Sequence, residues 1–438
     1  MKINIVFRFL TLIAALPFVS CNSQECRFCK DNQQGAVYQN IRSEADSNVY
    51  YNMYVPTGTR DSRIPVLILL DAHGNTAPAL NQYTGLADKY GVVLAGFNGS
   101  SNEIPFETIW KSFKPWVHEL YRKAPVDSTK LFIAGFSGGA RVATLIESRM
   151  SNVAATALCG AGPADINSWA GKTTPAILFA GTGDFNYLEV SGLYTNKDIK
   201  RPRAMRVYQG SHGWPPAIAM EDFFVLIQRT AGNNSESAKE NYFLSRSRTI
   251  LENGRPDIAL FAASTAIFAL GEANCTSLKN FTDSLKNNFS PEFAGEMNLC
   301  MKNESILQNR INAMFQNADT LKYFALVDSI NEQIKLDSLS LKADVMLRAK
   351  AWCGIASYSF SNKARSMNVP FLFSILRMYE YTEPANPDML ILMSAYYAGQ
   401  KECMKARIYL NMAKRHGFND KKKMDSMKEF DNCEDIRN

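Results

Sequence analysis

The sequence predicts an α/β domain with a doubly wound, mostly parallel sheet, followed by an all-α, helical-repeat-like region. Three observations carry this expectation. From residue 39 to residue 230, apolar runs without polar alternation recur, separated by helical patterns. Strands buried on both faces read this way, because helices cover each side of a parallel sheet. Beyond residue 240 strand signals fade into segments rich in Leu, Ala, Met, Lys and Glu, broken by Asn, Pro and Gly. Between the two regions, TAGNNSESAKE is small and polar, which places a linker at residues 231–240.

The elements follow in chain order. VYYNMYV (49–55) is β-rich, and PVLILLDAHG (65–74) is an apolar run ending in a polar, glycine-bearing loop. GVVLAGFNG (91–99) repeats that design, and ETIWKSFKPWVHELYRK (107–123) has helical spacing interrupted by Pro115. Then come KLFIAG (130–135), a helix after Ser137, VAATALCG (153–160), PAILFAGTGD (175–184), AMRVYQGSHG (204–213) and a closing helix through EDFFVLIQR (221–229). Right-handed crossovers between such strands build a doubly wound sheet, whose ligands bind at the carboxyl ends of the strands.

The first residues, MKINIVFRFLTLIAALPFVSCNSQ, combine a basic start, an apolar run and a small residue before Cys21. Residues 1–21 read as a signal peptide, and residues 22–38 as a tether. The pattern resembles a bacterial lipoprotein signal, which implies lipidation at Cys21, a membrane anchor and a place in the cell envelope, periplasmic or at the cell surface; Phe18 is an unusual residue for such a motif. A cleaved, unlipidated secreted protein is the alternative. No later stretch approaches about 18 consecutive apolar residues, the length a spanning helix needs.

Composition narrows the function classes. Apolar residues make up 46% and charged residues 21%, which is ordinary for a globular chain. Net charge is +6, with no Lys/Arg run interleaved with aromatics, so no nucleic-acid partner is indicated. Cys26 and Cys29 form a lone C-x-x-C, without the further ligands a zinc site needs, and no metal or other cofactor is expected. Cys159 ends an apolar run and reads as a buried thiol, while pairing among Cys275, Cys300, Cys353, Cys403 and Cys433 stays open.

GFSGG (135–139) follows a strand and opens a helix, the setting of a nucleophile elbow. A projecting serine needs a tight turn with small neighbours, which Gly135, Gly138 and Gly139 supply. A nucleophilic serine also needs a base, and the chain has only four histidines. His118 sits inside a helix and His416 near a helix end in the second half, while His73 precedes the serine in DAHGN. His212, in GSHGW, is the one that follows Ser137 at a strand end. Asp184, in GTGDF, is the acid placed to orient it, with Glu189 as runner-up and Asp71 and Asp222 less well placed.

Together HGN, GFSGG, GTGD and GSHGW resemble the α/β-hydrolase family, in particular small esterases related to polyhydroxybutyrate depolymerases and feruloyl esterases. The resemblance covers residues 39–230 and implies Ser137 as nucleophile, His212 as base and then acid, and Asp184 as its orienter. It also implies an oxyanion hole from the backbone N–H groups of Gly138 and Asn75. The substrate would be a small-molecule or polymer-attached ester, carbohydrate- or aryl-linked, since the loop after ALCG leaves no room for a sizeable lid. Phe97, Phe136, Phe185, Tyr187 and Trp214 either bind a ring there or belong to the core. Residues 241–438 place small residues, among them Gly254, Ala259, Ala263 and Ala266, and again Gly399, Ala406, Leu410 and Ala413, at spacings that resemble the tetratricopeptide repeat; such a tail implies a protein partner. A peptidase or acyltransferase on the same scaffold, or a surface-tethered binding protein, are the other readings.

Overall fold

The computed structural model describes residues 33–59, 63–232, 237–288, 291–336, 340–433 and 436. The expected signal peptide, Cys21 and the Cys26–Cys29 pair lie outside the described residues, as does part of the expected linker.

Eight strands form one sheet: β1 (Val37–Arg42), β2 (Tyr50–Tyr54), β3 (Ile64–Leu70), β4 (Val93–Phe97), β5 (Val126–Phe136), β6 (Val153–Cys159), β7 (Ala176–Gly183) and β8 (Arg203–Ser211). Their order is β1-β2-β4-β3-β5-β6-β7-β8. β2 runs antiparallel to both of its neighbours, and all other pairings are parallel. This is the α/β-hydrolase fold, with helices α1 (Ala77–Tyr90), α2 (Phe106–Lys123), α3 (Gly138–Arg149), α4 (Ile166–Ala170), α5 (Tyr187–Thr195) and α6 (Ala217–Ala231) between and after the strands.

The two faces of the sheet feed two cores. Val66, Ile68 and Leu70 of β3 pack into one, with Phe113, Trp116 and Ile146 from α2 and α3. Leu67 and Leu69 point the other way, toward Leu80 and Tyr83 of α1 and Phe223 and Phe224 of α6. The strand reads as an unbroken apolar run because successive side chains enter opposite cores.

Two local readings change. α2 runs through Pro115 without a break. Pro115 is on the exposed side, where the carbonyl it leaves unpaired meets water, while Phe113, Trp116 and Val117 bury the opposite face. The sheet also begins at Val37, inside the segment read as a tether, because β1 pairs with β2 along its length.

Every regular element described after residue 232 is helical: α7 (Ser237–Glu252), α8 (Pro256–Leu270), α9 (Thr276–Asn288), α10 (Pro291–Gln316), α11 (Thr320–Leu336), α12 (Leu341–Ser366), α13 (Leu372–Thr382), α14 (Pro387–Gly399), α15 (Cys403–Arg415) and α16 (Lys421–Asp425), with short 3-10 turns. The first of these do not stand apart from the sheet. Phe243, Leu244, Ala263, Ala266, Leu270 and Leu278 complete the core on the α1/α6 side, and Ile258 reaches the other. Later helices build two cores of their own, one around Phe315, Tyr323 and Cys353 and one around Leu390, Ala406 and Phe430. Ala259, Ala263 and Ala266 are fully buried, and the Ser394 hydroxyl donates to the Ala406 carbonyl at 2.7 Å across the α14–α15 contact.

Cys159, Cys275, Cys300 and Cys353 are buried thiols. A disulfide joins Cys403, at the start of α15, to Cys433, 30 residues on. Cys433→Ser is expected to weaken this end of the chain by about 3–4 kcal/mol, from the lost loop closure. Thermal unfolding in the presence and absence of reductant reads the difference, and equal melts would assign the bridge no stabilising role. Among the described residues no helix is long and apolar enough to cross a membrane, and no group of three or more His, Cys, Asp or Glu could hold a metal.

Candidate active site

Ser137 lies between β5 and α3 at φ 53° and ψ −120°, in the left-handed region that a residue bearing a Cβ rarely adopts. The chain accepts this because its neighbours lack side chains. A Cβ on Gly135 would sit 2.2 Å from the Gly139 carbonyl oxygen, and one on Gly139 would sit 2.1 Å from the Leu70 carbonyl oxygen. Strand, turn and helix therefore approach more closely than any other residue permits. Gly139→Ala is expected to cost about 3 kcal/mol or more by overpacking against backbone. A thermal melt matching that of the native chain would show that β3 yields instead. The turn is tied to the next strand by the Ser137 N–H, which donates to the Cys159 carbonyl at 2.8 Å.

His212 follows β8, and its Nδ1 lies 2.9 Å from Asp184 Oδ1. Asp184 is fully buried at the end of β7. Its Oδ1 also accepts the Asn186 N–H at 2.8 Å, and the Asn186 side chain donates to the Gly160 carbonyl at 2.7 Å. Oδ2 has no hydrogen-bond partner among the described residues. The imidazole sits between Phe136 and Phe185, with ring centroids 4.7 and 4.2 Å away. Because Phe136 immediately precedes Ser137, this contact puts the histidine beside the serine turn. Gly160, at φ 65°, closes the arrangement: a Cβ there would lie 3.0 Å from the His212 ring and 2.9 Å from Asp184 Oδ2. His212 uses Nδ1 for its pairing with Asp184, and its Nε2 bonds to no described residue.

The other acids weighed from sequence are engaged elsewhere. Glu189 pairs with Arg141 at 3.1 Å and accepts the Gly162 N–H. Asp222 is enclosed by Arg206 and Arg246, and burial pushes the Arg206 guanidinium down to about 10 despite that partner. Asp71 accepts the His73 N–H at 2.8 Å and the Trp214 indole N–H at 3.0 Å. Asp71 thus links the loop carrying Asn75 to the loop carrying His212. His118 packs edge-on to Tyr121 in α2, and His416 caps α15. Neither approaches the serine turn.

Asn75 is exposed and Gly138 half-buried, and neither N–H donates to another described residue. Gly74, at φ 68°, lets this loop pass the β4 end, since a Cβ there would meet the Asn98 carbonyl at 2.7 Å. Thr76 at the start of α1 donates its N–H and hydroxyl to the Asn98 side chain. Sequence reasoning overlooked Asn102, whose side-chain oxygen lies only 1.6 Å from where a Cβ on Gly138 would stand. It belongs to the polar loop after β4, a strand-end position of the kind that binds ligands.

The aromatics divide. Phe97 is core, packed on Phe113 and Trp116, and Tyr187 lies under the Arg348 guanidinium. Phe136, Phe185 and Trp214 are half-buried around His212. Burial, with the charge of Asp184 adding to it, pushes the Cys159 thiol well above its ordinary range, so it stays protonated and unreactive. The connection from β6 to β7 holds only the five-residue α4, leaving the serine turn without an inserted cap at that position.

No protein-family model and no curated protein matches the chain. Among solved structures it is similar to esterase B from Lactobacillus rhamnosis inhibited by a tributyrin phosphonate, at 16% identity and TM-score 0.36, over 45% of this chain and 89% of that one. It is similar to Est1E from Butyrivibrio proteoclasticus at 11% identity and TM-score 0.35, over 45% and 99% of the two chains. An S-formylglutathione hydrolase from Agrobacterium tumefaciens matches at 14% identity and TM-score 0.35, over 45% and 95%.

Proposed function

We propose that the chain is an exported serine hydrolase that cleaves carboxylic esters through an acyl-enzyme. The observation that carries this reading is the His212–Asp184 hydrogen bond set against the strained Ser137 turn. In the reaction, His212 Nε2 takes the proton as Ser137 Oγ attacks the ester carbonyl. The N–H groups of Gly138 and Asn75 bind the oxyanion, each such donor being worth about 3 kcal/mol in the transition state. His212 then passes the proton to the departing alkoxide, leaving the acyl group on Ser137. Water enters, gives its proton to His212 and attacks the acyl carbonyl; the carboxylic acid leaves and Ser137 regains its proton. Asp184 holds Nδ1–H and stabilises the imidazolium.

The open approach and the half-buried Phe136, Phe185 and Trp214 favour a carbohydrate- or aryl-linked ester on an accessible small molecule or polymer. Lipidation at Cys21 would hold the enzyme in the cell envelope, with the helices after residue 241 offering a surface to a protein partner. A fluorophosphonate should modify Ser137 alone, as mapped by peptide mass spectrometry. A panel of p-nitrophenyl esters against peptide amides separates an esterase from a peptidase or acyltransferase. Modification elsewhere, or cleavage of amides only, would overturn the assignment.

A further inference from the structure

The strand that delivers Asp184 pairs irregularly with its outer neighbour just before the acid. Pairing between β7 and β8 shifts register between Gly181 and Gly183, so the ladder is irregular where the acid's turn begins. Such a bulge re-aims the side chains that follow it. Thr182, between the two glycines, is buried, and its carbonyl is held from outside the sheet. Arg348, in the first third of α12, donates Nη1–H to Thr182 O at 2.7 Å from 166 residues away in sequence. The same guanidinium gives Nε–H and Nη2–H to Glu304 Oε2 of α10 at 2.8 and 2.6 Å, and it lies 4.3 Å over the Tyr187 ring at the start of α5. Leu347 Cβ stands 3.6 Å from where a Cβ on Gly183 would be.

We propose that Arg348 is a positioning residue for the hydrolytic site: from the helical region it fixes the Thr182 carbonyl, and with it the turn that presents Asp184 to His212. The inference rests on the reading of Asp184 and His212 as a catalytic pair. Arg348 suits this task because its own place is determined. Arg348 and Glu304 are 4% and 0% exposed, so two charges removed from water must stay paired. The planar guanidinium serves the carboxylate and the carbonyl at fixed angles, which a single ammonium does not. Asp184 follows Thr182 by two residues, so a displacement of that carbonyl moves the carboxylate that the imidazole bonds. The helices are then part of the site, although among the described residues none of their side chains bonds to Ser137, Asp184 or His212.

The test uses the full chain with Arg348→Met/Glu304→Gln, which removes both buried charges together, and Arg348→Lys, which keeps the charge beside Glu304. Three quantities are read: the thermal melt, kcat and KM on a p-nitrophenyl ester, and the low-field proton resonance of His212 Nδ1–H, identified by its loss in His212→Gln. In a variant that melts cooperatively, kcat is expected to fall about 10- to 100-fold with KM within about threefold, the range a misplaced catalytic group produces. The resonance shifts or broadens in parallel. Unchanged kcat and an unchanged resonance in a folded variant overturn the proposal. If the double variant does not fold, Arg348→Lys decides by the same criteria. The resonance reads the Asp184–His212 bond without turnover, so an inactive native chain would refute the esterase reading while the resonance still judges Arg348.

Discussion

Ser137→Ala is expected to lower kcat for ester hydrolysis by on the order of 10⁶-fold and to end fluorophosphonate labelling, while leaving the fold unchanged. The size follows from the role. Without Oγ no acyl-enzyme forms, and what remains is binding plus the oxyanion donors, which act on water only weakly. The fold should tolerate the change, because the strain at φ 53° belongs to the backbone and alanine carries the same Cβ. Steady-state rates beside a thermal melt distinguish the outcomes. Labelling of the alanine variant at the native rate would assign the nucleophile elsewhere.

The second large effect is at Asp184. One oxygen, Oδ1, accepts both from His212 Nδ1–H and from the Asn186 N–H. In Asp184→Asn the amide oxygen can keep that place, which puts the new NH₂ at the Oδ2 position. In the native chain Oδ2 bonds to no described residue. The imidazole then keeps its orientation but loses the charge that stabilises its cation, and the new NH₂ enters a buried position that its neighbours did not fill with a hydrogen bond. We expect kcat to fall about 10⁴-fold, with KM little changed. Glu189→Gln, breaking only the half-exposed pair with Arg141, should change kcat by less than about threefold. A reversed ranking of the two variants would make Glu189 the orienter.

The proposed serine, acid and base stand out in the sequence because such chemistry needs scarce residue types at strand ends, and a single histidine follows GFSGG at one. The glycines were legible for a related reason, since only they allow β3, β5 and α3 to meet. What stayed hidden depends on partners distant in sequence. Arg348 looks like any basic residue of an amphipathic helix until α12 is laid against β7. Nothing local distinguishes Asn102 from other loop asparagines, or selects Cys433 as the partner of Cys403. The polar stretch at 231–240 suggested a boundary, because composition reports a break in periodicity and cannot say which surface the next helix covers. In the folded chain that surface is α6, whose Glu221 and Asp222 accept hydrogen bonds from Tyr242 and Arg246 of the next helix.

That arrangement has a consequence for self-association. β8 is one of the two edge strands, and α8 lies along it, with the Thr265 hydroxyl donating to the Met205 carbonyl at 2.7 Å. An outer strand with open carbonyls and N–H groups is a template on which a second molecule can extend the sheet. In this chain α8 lies over that edge, and its Thr265 takes one of the edge carbonyls. A chain ending near Gly232 would lack this helix and leave the β8 edge uncovered. The helices therefore guard the β8 edge against pairing between molecules.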